Sequence, residues 1–157
     1  VVALPGHTTG HAGYWIPDSS VLVTGDLIDF ENSQGMDLNN PRSDFGMALD
    51  SLRRALELKP EILIPAHGEP TVGRQRVEQV LTDALAGGLE YPERIRAALG
   101  ARTLRLGAIT PAVFPDVPLS MRAMTMMLVL VVLLHMERTG QVRRTEVSGR
   151  PAWVRVD

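Results

Sequence analysis

Three short apolar runs in the first half of this chain each close on a residue that can bind a metal. Val1-Val2-Ala3-Leu4 leads into Pro5-Gly6-His7, Val21-Leu22-Val23 into Thr24-Gly25-Asp26, and Ile62-Leu63-Ile64 into Pro65-Ala66-His67. Short aliphatic runs bounded by Gly and Pro are strand signals. Two imidazoles and a carboxylate, each at a strand end, suit a metal-binding edge. The chain has no cysteine, so thiolate zinc sites and disulfides are excluded and His and carboxylate remain as ligands.

With 157 residues, 45% hydrophobic and 22% charged, the chain has the make-up of one or two small soluble domains. Residues 1–70 hold four basic and ten acidic side chains, and residues 71–157 hold twelve and eight. This asymmetry places a boundary near Pro70. Lacking an initiator Met and opening in mid-strand, the sequence reads as an internal piece of a longer protein. No basic segment followed by an apolar core opens it, so a cytoplasmic location is expected.

In the first unit the pattern predicts a strand at residues 1–4 and a hairpin of 13–16 and 21–24 turning at Pro17-Asp18-Ser19-Ser20. A long polar loop over the site follows at 29–42. A helix capped by Ser43 then runs over 44–58, with Phe45, Leu49, Leu52 and Leu56 as its buried stripe. Lys59-Pro60 stops it before a strand at 61–64. In the second unit a helix capped by Thr71 is expected to end at Gly87-Gly88, followed by a helix at 91–99 and a weaker one at 103–113. Ser120 caps a long helix to about Thr139, and residues 141–147 and 152–156 form a hairpin.

Leu4-Pro5-Gly6-His7-Thr8-Thr9-Gly10-His11, Thr24-Gly25-Asp26 and Ile64-Pro65-Ala66-His67-Gly68 resemble, in order and spacing, the later three motifs of the metallo-β-lactamase-fold hydrolases. The resemblance covers residues 1–70. It implies an α/β fold: the C-terminal half of an αββα sandwich (residues 1–70), followed by a helical linker and a small winged-helix-like α+β domain (71–157). It implies two zinc ions per complete site, with manganese or iron as alternatives. His7 would serve the first metal and His67 the second. Asp26 would bridge them and is the one residue here assigned to the catalytic machinery. His11 is expected to support the ligands and not to bind, and Thr8 and Thr9 to hold the loop around His7. The family's first motif, His-x-His-x-Asp-His, is absent from these residues, and His135, alone in an apolar helix, cannot replace it. These 157 residues by themselves are therefore expected to bind zinc weakly and to be inactive.

The complete enzyme implied is a hydrolase that cuts an ester, thioester or related bond of a small molecule through a metal-bound hydroxide. Asp29 replaces the Tyr of the quorum-quenching lactonases. Glu69 and Asp29-Phe30-Glu31 stand where glyoxalase II carries a Tyr and basic residues, which disfavours glutathione. His67-Gly68-Glu69-Pro70 and the tail resemble the branch related to a mitochondrial endoribonuclease. That leaves single-stranded RNA cleavage, or a non-catalytic interaction module, as alternatives. Arg138, Arg143, Arg144, Arg150 and Arg155 gather around the terminal hairpin, yet Ala123–Leu134 offers only Thr125 as a polar group, which speaks against groove reading. At about a dozen residues this run falls short of the roughly 20 that cross a bilayer. It is expected to be buried on all faces, against the metal domain or in a homodimer, with no membrane involved.

Overall fold

The computed structural model describes residues 1–29 and 35–156. By compactness the chain divides into two units, residues 1–38 with 42–89 and residues 39–41 with 90–157.

The first unit is built on a five-stranded sheet ordered β1-β2-β3-β6-β7. β1 (Val2–Ala3) pairs antiparallel with β2 (Ala12–Ile16), and β2 with β3 (Val21–Gly25). The expected turn at Pro17 is a single 3-10 turn, and Ser20 ends it in the left-handed region at φ 52°. β3 then runs parallel to β6 (Ile62–Pro65), and β7 (Thr71–Val72) pairs back on β6. Leu22 and Thr24 on β3 and Leu63 on β6 are fully buried, while Val21, Val23, Ile62 and Ile64 on the other face are half-buried. Apolar residues on both faces are what a parallel pair requires.

Between β3 and β6, where a loop is expected at 29–42, the described residues include two short strands. β4 (Ile28–Asp29) and β5 (Gly35–Met36) pair antiparallel, with Ile28, Met36 and Leu38 at most 4% exposed. Apolar anchors inside a polar stretch escaped the reading by periodicity. Phe30 and Glu31 lie outside the described residues.

Helix α1 (Phe45–Glu57) buries Phe45, Ala48, Leu49, Leu52 and Ala55. Its N-cap is Asp44, whose carboxylate accepts from the Met47 N–H, and not Ser43. Lys59 leaves the helix at φ 51° and Pro60 follows, so the stop falls where expected.

Two expected boundaries in the next stretch are absent. Helix α2 (Arg74–Leu99) is continuous through Gly87, Gly88 and Pro92, and Thr71 lies in β7 and caps nothing. Gly88 serves a close approach: a Cβ there would meet Met36 Cε at 2.4 Å. The expected helix at 103–113 is a strand and a helix, β8 (Leu104–Arg105) and α3 (Leu106–Val113).

In the second unit β8 pairs with β10 (Arg150–Arg155), which pairs with β9 (Val142–Val147). The β9–β10 hairpin turns on Ser148 and Gly149, both at positive φ. Helix α4 (Arg122–Arg138) follows a 3-10 turn at Leu119–Met121, and Ser120 does not cap it. It packs against α3 and β9. The whole helical stretch Leu119–Arg138 is longer than the apolar run alone suggested. Its 20 residues, with mean hydropathy 1.9 over 18 of them, are enough to cross a membrane by length and composition. Burial is one-sided and not all round: Val129, Val131, Val132, Leu133 and Met136 are buried, whereas Met126 and Leu134 are exposed.

Tyr91 on α2 packs at a tilt against Phe114, ring centroids 5.7 Å apart, with the Arg94 guanidinium 4.8 Å from the Phe114 centroid. Burial raises the Tyr91 pKa above the ordinary 10.0; Arg94 opposes the shift and Glu90 adds to it. The folded state thus holds the neutral phenol more tightly than the unfolded one. That contribution is complete below about pH 10 and is lost as pH rises through the folded value. An absorbance titration should show one tyrosine ionising late, and Tyr91→Phe should abolish that phase. Leu63→Ala, emptying a wholly buried site on β6, should cost about 2–5 kcal/mol in a urea melt.

Candidate metal centre

The parallel register of β3 and β6 decides where Asp26 and His67 meet. Leu22 pairs with Leu63 and Val23 with Ile64, and a bulge then brings Gly25 opposite Pro65. The Ala66 N–H donates to the Gly25 carbonyl at 3.1 Å, and buried Thr24 donates through Oγ1 to Ile64 O at 3.3 Å. Both chains therefore leave the sheet together. His67 Nε2 comes to 3.4 Å from Asp26 Oδ1, with side-chain exposures of 67% and 31%. So open an ion pair contributes little to stability. An exposed imidazole beside a carboxylate at the end of two parallel strands is better suited to binding something than to holding the fold.

His11 fastens this edge to β1. Its Nε2 accepts the Asp26 N–H at 3.1 Å, and its Nδ1 lies 2.8 Å from the Leu4 carbonyl oxygen. A carbonyl only accepts, so Nδ1 carries the proton and Nε2 the lone pair. Both ring nitrogens are committed to backbone, which leaves His11 no donor atom for a metal. This is the supporting role expected of it. Gly25 makes the clasp possible. It has φ 57°, and a Cβ there would stand 2.7 Å from His11 Nε2.

His7 lies beside His11, ring centroids 6.0 Å apart. Its Nδ1 lies 3.0 Å from the Asp37 carbonyl oxygen and 3.4 Å from Asp37 Oδ1. Donation from Nδ1 to that carbonyl makes Nε2 the lone-pair nitrogen, as in metal-binding histidines oriented by an oxygen acceptor. The His7 loop is knotted by the Thr8 backbone carbonyl, which accepts from the Gly6 and His11 N–H groups. Helix α1 and the residue before its cap hold the same segment. Ser43 Oγ donates to His7 O at 2.9 Å, Ser51 Oγ to Pro5 O at 2.6 Å, and Arg54 to Ala3 O at 3.0 Å. Gly6 lets the loop lie on α1, since a Cβ there would meet Ala48 Cα at 2.5 Å. Asp37 and Ser43 are the site residues that sequence reading missed. Each contact joins positions about thirty or more apart, which no local pattern reveals.

Asp26 and His67 are thus in contact, and His7 lies beside His11, the ring that accepts the Asp26 N–H. Among the described residues no three His, Asp or Glu side chains gather closely enough to enclose a metal. The donor set, imidazole nitrogen with carboxylate oxygen, fits zinc in kind but is incomplete in number.

Residues 1–67 match the model of the metallo-β-lactamase superfamily. Over 118 residues, 75% of this chain and 40% of the relative, the sequence is 31% identical to a hydroxyacylglutathione hydrolase of Rhodospirillum rubrum. Over 79 residues it is 35% identical to the hydroxyacylglutathione hydrolase GloC of Haemophilus influenzae, covering 48% of this chain and 36% of that one. A β-lactamase domain protein from Burkholderia ambifaria superposes on 99% of this chain and 47% of its own length, with a TM-score of 0.79 and 25% identity. The chain therefore spans 36% and 40% of these two curated relatives.

Gly25→Ala should destabilise by about 2–4 kcal/mol, from backbone strain together with the collision at His11. Gly140→Ala, also at positive φ but facing open space, isolates the strain. Equal losses in the two variants would show that His11 is not locked against Gly25.

Proposed function

Because residues 1–67 belong to the metallo-β-lactamase superfamily, we propose that this chain supplies the later half of a two-zinc hydrolase site, with His7 on one metal, His67 on the other and Asp26 shared. The contact between Asp26 and His67 at the ends of β3 and β6 is the observation that carries this reading. When bound, zinc supplies Lewis acidity, which lowers the pKa of water towards neutrality and polarises the bond under attack. The residues of this chain do the holding. His11 fixes the Asp26 backbone, and Asp37 sets the His7 ring so that Nε2 can bind. Ser43, just before α1, and Ser51 on it pin the His7 loop.

A catalytic zinc takes three protein ligands and keeps one position open. Two metals sharing His7, Asp26 and His67 fall short of that. The remaining ligands belong to parts of the family domain that these 157 residues do not span. Residues 1–157 alone are thus weak in zinc and without appreciable turnover. The substrate class is an ester or thioester of a small molecule. The likeness to hydroxyacylglutathione hydrolases favours a thioester. Glu69 and Asp29 weaken a claim on the anionic glutathione moiety itself. The tail is read as a winged-helix-like module. Exposed Arg143 and Arg155 on its hairpin support a second reading, cleavage of single-stranded RNA. Salt-sensitive RNA binding that is lost in the Arg143→Ala, Arg155→Ala double variant separates the two.

Zinc titration followed by calorimetry tests the site. The chain should bind zinc weakly and substoichiometrically. His11→Ala should lower affinity by about 10–100-fold while the fold persists, and Asp26→Ala should abolish binding. Tight zinc near two equivalents in the unaltered chain, or binding unaffected by Asp26→Ala, would overturn the assignment.

A further inference from the structure

Helix α4 leaves one apolar stripe uncovered. Met126, Leu130 and Leu134 recur at every fourth position and so share a face. Met126 and Leu134 are 36% and 37% exposed. Together with Leu106 and Trp153 they line an open cavity of about 860 Å³, lying wholly within the second unit. That is the size of a small-molecule site.

The polar lining of the cavity has one sign. Arg105, Arg144 and Arg150 line it, and no Asp or Glu does. None of the three arginines forms an ion pair among the described residues. Arg144 sits across the β9–β10 pair from Trp153, its guanidinium 5.9 Å from the Trp153 ring centroid. Trp153 is 3% exposed, and its Nε1–H has no hydrogen-bond partner among the described residues. A buried donor without an acceptor is uncommon and points to a missing partner.

We propose that this cavity binds an anionic amphiphile: an alkyl chain laid along Met126, Leu130 and Leu134, with an oxyanion head among the arginines and accepting from Trp153 Nε1. Charge complementarity selects this occupant. A second copy meeting this face about a twofold axis brings the arginines of each copy against the same set. A neutral apolar segment covers the stripe but buries guanidinium groups without counter-charge. A polyanion satisfies the arginines and leaves the stripe in water.

The test uses the full chain carrying Trp15→Phe, which leaves Trp153 as its single indole. Dodecanoate, titrated below its micelle concentration, should change Trp153 emission saturably with one site per chain. Dodecanol, which lacks the charge, should bind at least about tenfold more weakly, and so should the Arg144→Ala, Arg150→Ala double variant at unchanged far-UV circular dichroism. Met126→Glu, at an exposed position, should weaken dodecanoate by repulsion. The proposal is overturned by equal affinity for dodecanol, by no saturable response, or by dodecanoate binding that is indifferent to the arginines. It is equally overturned by a dimer that Met126→Glu dissociates, or by insertion into phosphatidylglycerol vesicles in place of binding to monomeric dodecanoate.

Discussion

The clasp of His11 on the Asp26 backbone is the interaction on which the first unit's candidate site depends. One imidazole spans the Leu4 carbonyl and the Asp26 amide, joining the strand end that launches His7 to the strand end that launches Asp26. The parallel pairing of β3 with β6 then carries that order across to His67. Each step is a backbone constraint. The geometry of this strand-end edge is therefore set by main-chain hydrogen bonds and a bulge at Gly25, and Asp26 and His67 need only short reaches to meet. Such a site is supported by rigid elements, which is the usual condition for holding ligands to useful tolerance.

The candidate ligands stand out because each closes an aliphatic run, and strand ends are where α/β folds collect their functional groups. The β2–β3 hairpin and α1 were legible for a similar reason: turn chemistry and helical periodicity are local. What could not be read locally is instructive. Gly87-Gly88 and Pro92 are helix-breaking signals that α2 overrides, with Gly88 recruited to let Met36 approach. β8 was hidden because a two-residue strand has no period, and its identity comes only from pairing with Trp153 and Ala152. The role of Asp37 depends on a contact thirty residues distant in sequence.

The second unit shows a different compromise. A helix whose residues 123–134 hold a single polar side chain, Thr125, would be expected to bury that run in a core, yet α4 buries one side against α3 and β9 and leaves another open. The open side is concave and bordered by arginines, so the exposed apolar area is shaped and not simply surplus. That combination distinguishes a recess from a sticky surface, since cationic groups at the margin limit what can approach it.

The fastening of the His7 loop has a consequence for how this segment can vary. Ser43, Ser51 and Arg54 grip the carbonyls of His7, Pro5 and Ala3, atoms that every amino acid possesses. Val2 and Ala3, which are not buried, can therefore change their side chains without loosening these contacts, provided Leu4 keeps its place in the core and Gly6 remains small enough to lie on α1. Part of the burden of staying the same shifts to Ser43, just before α1, and to Ser51 and Arg54 on it, some forty residues downstream. Mutational sensitivity should accordingly be greater at those distant polar residues than at Val2 and Ala3, an inversion of the usual picture in which a site's immediate neighbours are its most intolerant positions.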